Sequence, residues 1–279
     1  MLSPQQRIAG LLARAALHST EVDHTTIAWQ HWGGEGTPLL LVHGGFGSWT
    51  HWAANIEALR QSRNVWTLDL PGLGSSADMP KPWTTEHFAE LVLAGWRQLL
   101  GDTEFELAAF SFGAMIAGHV AALAGPQCQR CCLIGASGFG PLHKQVSLLP
   151  PPGPEVPAIE ADPIHRENLA RLMLYRKEAV DDLAVCIHSD NLARHRFRSR
   201  AMAGSNDLAD VLPAINAHLV GIWGVHDATA GGIEQIQARR ALMLASQPEA
   251  EFHILEDIGH WAMYESPETV NRLILGQLS

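Results

Sequence analysis

The stretch LAAFSFGAMIAG, residues 107–118, sets Ser111 between two phenylalanines, just after a short apolar run and just before a string of small residues. A helix N-cap is the plain use of a serine at such a junction. A nucleophile held on a tight strand-to-helix turn is the chemical one, and the usual form of that turn is G-x-S-x-G. Ala109-Phe110-Ser111-Phe112-Gly113 departs from it at one position, where alanine adds a single methyl. A serine hydroxyl is far too weakly acidic to attack unaided at neutral pH, so it needs a base and a group that orients the base. GIWGVHDATAGG places Asp227 three residues beyond an apolar run, and LEDIGHWAMYESPE places His260 on a loop ahead of the last helical stretch. LLLVHGGFGSW places His43-Gly44-Gly45-Phe46 at the end of another apolar run. Glycines there let backbone N–H groups point into a site, and Gly45, Phe46 and Phe112 are the expected oxyanion donors.

Other acids and bases compete for these roles. Asp257 lies three residues before His260 and is too close in the chain to reach behind its ring. Asp69, in DLPG, is placed to support a turn. Glu256 is a further outsider, His43 is expected to be structural, and His226 is expected to be a neighbour of the acid. Aromatic residues crowd the same loops, and Phe46, Trp49, Phe139 and Trp261 are the expected pocket walls for an apolar acyl or aryl group. Arg194, Arg196, Arg198 and Arg200 recur at a spacing of two, which spreads them around a helix as a solvated face. The sharper use of one of them is to hold a substrate carboxylate.

These residues need a scaffold. Apolar runs at 37–44, 64–72, 105–110, 130–137, 217–224 and 250–257 scarcely alternate, as in strands covered on both faces. Helical patterns at 84–100, 111–124, 233–245 and 266–277 fall between them, the first opening on Thr84 with Glu86 and His87 close behind. That alternation makes an α/β chain with a mostly parallel sheet. TTIAWQHWG, 25–33, adds an antiparallel edge hairpin with the segment before it, and the first twenty residues read as an amphipathic helix lying on the domain. Residues 138–213 break the rhythm with LLPPPGPEVP and polar helical text, an insertion over the carboxyl ends of the strands, where ligands bind in open sheets.

Composition excludes several classes. Of 279 residues, 29 are acidic and 19 basic, for a formal charge of -10, which argues against nucleic acid as a partner. No apolar run reaches the roughly 20 residues of a membrane span, and Arg7 and Arg14 interrupt the N-terminal apolar stretch, so neither membrane nor leader is expected and the location is taken as cytoplasmic. Cys128, Cys131, Cys132 and Cys186 lack a second ligand pair at zinc spacing, and no H-E-x-x-H occurs. Buried thiols, no metal and no cofactor are expected, with a small molecule as the partner.

The joint pattern resembles the α/β-hydrolase fold superfamily. The resemblance rests on the HGG turn at 43–45, DLPGLGSS at 69–76, the turn at 109–113, WGVHD at 223–227, GHW at 259–261 and the chain order Ser111, Asp227, His260. It implies an eight-stranded, mostly parallel sheet flanked by helices, with residues 1–137 and 214–279 as core and 138–213 as a helical cap. It also implies a Ser-His-Asp triad acting on a carboxylic ester. GHWAMYESPE is similar as well to carbon–carbon bond hydrolases of ring-fission dienoic acids. Cofactor-free perhydrolysis and a ligand receptor on the same fold complete the alternatives. No proline follows soon after Asp227, the second departure from the family pattern.

Overall fold

The computed structural model describes residues 2–140, 146–153 and 155–277. Eight strands, β1 (Ala16–Val22), β2 (Thr25–Gly33), β3 (Pro38–Val42), β4 (Asn64–Leu68), β5 (Phe105–Phe110), β6 (Cys128–Ile134), β7 (His218–Gly224) and β8 (Glu251–Leu255), form one sheet in the order β1-β2-β4-β3-β5-β6-β7-β8. β2 runs antiparallel to both its neighbours, and every other pairing is parallel. The expected α/β class, the strand runs and the edge hairpin are all present.

Period-two alternation explains why the strands read as unbroken apolar runs. Leu40 and Val42 of β3, with Leu107 and Ala109 of β5, join the core on one face. Leu39, Leu41, Ala108 and Phe110 join the core on the other. Both faces are covered, so both sets of alternate residues must be apolar.

The helices are α1 (Pro4–Leu12), α2 (Ile56–Leu59), α3 (Thr85–Leu100), α4 (Phe112–Ala124), α5 (Ala158–Leu172), α6 (Asp182–Arg194), α7 (Asp207–Val211), α8 (Ile233–Ser246), α9 (Ala262–Glu265) and α10 (Pro267–Ile274). Thr84 caps α3 by accepting the His87 N–H at 3.1 Å. The N-terminal helix is shorter than the pattern suggests. It ends at Leu12, with Ile8, Leu11 and Leu12 packed against the core, and the chain enters β1 at Ala16. No described helix is long and apolar enough to cross a membrane.

Between β6 and β7 the described residues form no strand. They carry α5, α6 and α7, joined by irregular chain that includes the proline run. Of the segment 138–213, residues 141–145 and 154 lie outside the described residues.

Candidate active site

Ser111 sits at the carboxyl end of β5, at φ 55° and ψ −118°. A non-glycine residue at positive φ is costly and persists only where its surroundings over-determine it. Here the surroundings are hydrogen bonds and close packing. The Ser111 N–H donates to the Ile134 carbonyl at 2.9 Å, and its own carbonyl accepts from the Ser137 N–H at 3.3 Å. A Cβ on Gly113 would lie 2.1 Å from the His43 carbonyl oxygen, so the turn closes only on glycine at that position. Ala109 is different: it pairs in register with Val42 and Leu133 inside the sheet, fully buried and with no positive φ, and its methyl is accommodated.

His260 and Asp227 arrive from two other strand ends. β7 stops at Gly224, where a Cβ would meet the carbonyl oxygens of Ile258 and Gly259 at 2.2 and 2.3 Å. That missing side chain lets the loop carrying His260 lie against the loop carrying Asp227. His260 Nδ1 is 2.8 Å from Asp227 Oδ2, and His260 Nε2 is 3.0 Å from Ser111 Oγ. With Nδ1–H donating to the carboxylate, Nε2 is free to accept the serine proton. Asp227 is buried, which by itself would raise its pKa; the neighbouring His260 and two hydrogen bonds from Thr229 outweigh burial and hold it below the usual carboxylate value.

Thr229 is a site residue that the sequence reading missed. Its N–H and Oγ1 both donate to Asp227 Oδ1, at 2.8 and 2.7 Å. An aspartate bonded by the backbone two residues on is a common local turn, and Asp-Ala-Thr carries that signal. Glu265 was missed as well. Its side chain is buried and accepts the N–H groups of Gly259 at 2.7 Å and of Tyr175 at 2.9 Å, tying the His260 loop to the chain after α5.

The competing acids lie elsewhere. Asp257 and Glu256 are exposed. Asp69 is buried and accepts the N–H groups of Trp49 and Ser75, both at 2.8 Å. It ties the turn after β4 to the glycine-rich loop. His43 is structural, its Nε2 accepting the Leu70 N–H at 2.9 Å while Nδ1 lies 2.7 Å from the Gly44 carbonyl. His226 stacks on Tyr175 at 3.6 Å between ring centroids, beside the acid and away from the serine.

Gly45, Phe46, Ser111, Phe112 and His260 line one cavity of about 370 Å3, and Phe139 forms part of its wall. Trp49 and Trp261, expected on the same wall, line other space. Trp261 is buried beneath the site, with its indole N–H donating to the His51 carbonyl at 3.0 Å and its ring stacked on Tyr264. Trp49 packs on Trp32 and faces a separate cavity beside α1 and α6. Both sit within a few residues of the site loops, but their side chains pack into the core on the Leu39 and Leu41 face of the sheet. Of the four arginines, Arg200 reaches the cavity, its guanidinium 5.8 Å from the Phe46 ring centroid. Arg196 is bound to Asp78 at 2.7 Å, Arg194 lies 3.9 Å from Asp190, and Arg198 is exposed. The four cysteines are buried and free.

The fold has counterparts among known proteins. The chain is 31% identical to a dihydrolipoyllysine-residue acetyltransferase component of the acetoin cleaving system from Pseudomonas putida, over 94% of this chain and 69% of that one. It is 26% identical to a 2-hydroxy-6-oxononadienedioate/2-hydroxy-6-oxononatrienedioate hydrolase from Burkholderia vietnamiensis, over 85% of each chain. Its fold superposes on the crystal structure of the esterase RhEst1 from Rhodococcus sp. ECU1013 with a TM-score of 0.74 at 18% identity, covering 94% of this chain and 98% of that one. The model of the alpha/beta hydrolase family matches residues 39–273, from β3 through the serine turn and the His260 loop into α10, and the chain belongs to that family.

Proposed function

We propose that this chain is a serine hydrolase that cleaves a small carboxylic ester, with an apolar acyl or alcohol part, through an acyl-enzyme. The observation that carries the reading is the unbroken line of contacts from Ser111 Oγ through His260 to Asp227. In the first step His260 Nε2 takes the hydroxyl proton as Ser111 Oγ bonds to the acyl carbon. Asp227 keeps the imidazole in the tautomer that allows this and stabilises the imidazolium that results. The N–H groups of Phe112, Gly45 and Phe46 face the developing oxyanion. Phe112 is the first residue of α4, where the helix leaves its N–H groups without intrahelical partners. Each oxyanion donor contributes on the order of 3 kcal/mol to lowering the barrier. His260 then protonates the departing alcohol, and water, deprotonated by His260, releases the acyl group.

The segment 138–213 acts as a cap in this reading. Leu172, Met173, Ser199 and Ala203 come from it to line the cavity that holds Ser111. Apolar groups around the serine suit an apolar substrate portion and limit water.

A second reading has its own support. The Burkholderia relative is named for hydrolysis of a dienedioate, and the same triad would serve carbon–carbon bond cleavage. One activity panel separates the two: p-nitrophenyl acetate through octanoate and a coloured ring-fission dienoic acid, each with a Ser111→Ala control. Ester release with an untouched dienoic acid supports the first reading. Rapid bleaching of the dienoic acid with slow ester release replaces it with the second.

A further inference from the structure

The chain carries ten more acidic than basic residues, yet the cavity around Ser111 has the opposite sign. Among the described residues that line it are Arg200 and Arg239, and no aspartate or glutamate. Asp227 is close by but lies behind His260 and is bonded to it.

Arg239 belongs to α8, outside the cap, and nothing in its local sequence marks it. Its guanidinium stands 5.9 Å from the Phe139 ring centroid. Nη1 donates to the Ala230 carbonyl at 2.7 Å. Nε is buried and, among the described residues, has no acceptor. Burial pulls the pKa of this group below the ordinary arginine value, with Asp227 pulling the other way, but an arginine stays charged at neutral pH. Among the described residues this half-buried guanidinium spends one of its five donors and pairs with no carboxylate, so it is poorly compensated. A planar anion in the cavity pairs with the remaining Nη donors, because the guanidinium fork matches a carboxylate with two parallel hydrogen bonds.

We propose that Arg239 is the anion-binding residue of this cavity and that the substrate carries a free carboxylate in addition to the bond that is cleaved. The inference rests on the serine-hydrolase reading only for the bond broken; the carboxylate subsite stands on the cavity itself. It makes the substrate a half-ester of a dicarboxylic acid or a closely related acid. The Arg239 guanidinium stands over the Phe139 ring, and Arg200, at the Phe46 side of the cavity, adds positive potential on the approach. In a chain of net negative charge, such a local field is what lets an anionic substrate enter.

The test is equilibrium binding to Ser111→Ala protein, which removes turnover, using monomethyl adipate and its neutral counterpart dimethyl adipate. The half-ester is expected to bind at least tenfold more tightly. Adding Arg239→Gln should bring the two ligands to within twofold of each other, and Arg239→Lys should leave an intermediate preference, since the charge remains and the fork is lost. Adding Arg240→Gln, an exposed neighbour on the same helix, should keep the full preference. Equal binding of the two ligands to Ser111→Ala protein would overturn the proposal, as would a preference that survives Arg239→Gln. If Arg239 merely braces the Ala230 loop, both ligands weaken together and their ratio stays put, which also overturns it. Turnover of both esters by the wild-type protein is measured alongside. Binding preference without ester turnover leaves the subsite standing and removes the esterase reading; turnover without preference does the reverse.

Discussion

His260 Nε2 stands 3.0 Å from Ser111 Oγ across 149 residues of chain. The sheet makes this meeting possible, because β5 and β8 release their chains at the same edge with β6 and β7 between them. Replacing Ser111 with alanine leaves that scaffold intact and removes the attacking atom. Ester turnover is expected to fall by at least about 1,000-fold, and labelling by a fluorophosphonate probe to vanish. Equal labelling of the variant and the wild type would place the nucleophile elsewhere.

Asp227→Asn should lower kcat by about 10,000-fold while leaving stability little changed, since the amide is isosteric but favours the wrong imidazole tautomer. Asp257→Asn is the comparison. Asp257 is exposed on the turn before Ile258 and should keep turnover within twofold of wild type. The reverse result would move the acid from the end of β7 to the turn after β8.

Much of this site could be read before any coordinates. Ser111 and Gly113 are legible because a tight strand-to-helix turn restricts residue types over five consecutive positions. Asp227 and His260 are legible because each follows an apolar run in a fixed chain order. Trp49 and Trp261 are the instructive misses. Proximity to a site loop in sequence says nothing about where an indole packs, and each found a partner in the core, Trp49 on Trp32 and Trp261 at the His51 carbonyl. Arg239 and Glu265 were illegible for another reason. Each acts on residues far away in the chain, Glu265 on Tyr175 and Arg239 on the cavity, and helical text around them looks like any solvated face. Thr229 was within reach of local rules, since it bonds an aspartate two residues away.

Glu265 links the His260 loop to the segment after α5. Its carboxylate holds the N–H of Gly259, next to His260, with one oxygen and the N–H of Tyr175 with the other. Glu265→Gln keeps an acceptor for only one of these, and turns an amide N–H toward the donor it loses. The expected cost is about 1–3 kcal/mol of stability, the usual penalty for an unpaired buried polar group. kcat should fall as well, because the His260 loop loses its anchor. Urea unfolding and kinetics on the same preparation check both; a stability loss with unchanged kcat would mean that the loop's other bonds, such as the backbone N–H of Trp261 to the Met173 carbonyl at 2.8 Å, are enough to hold it.

Three buried groups, two histidines and an aspartate, give stability opposite dependences on pH. His43 is fully buried, and burial lowers its pKa to about 4, its bond to the Gly44 carbonyl opposing. His188, in α6, is lowered to about 4 by burial and by His165 nearby. A histidine with a depressed folded pKa lets the unfolded chain take up protons first. Its stabilising effect is complete above pH about 6.5 and is lost as pH falls toward 4, by about 3 kcal/mol for His43. Asp69 works the other way. Burial raises its pKa to about 6 against the bonds from Ser75 and Trp49, so the unfolded chain releases protons first as pH rises from 3.8. Stability therefore falls with rising pH through that window, by about 3 kcal/mol, before levelling off. The wild-type protein should lose stability on acidification from pH 7 to 4.5, because His43, His188 and His51, which burial also holds well below the usual histidine value, together outweigh Asp69. Asp69→Asn should steepen the loss of stability on acidification, and His188→Gln should reduce it. Urea midpoints measured at half-unit pH steps for the three proteins decide the matter. Parallel profiles would mean that His188 and Asp69 titrate in the folded protein as they do in the unfolded chain.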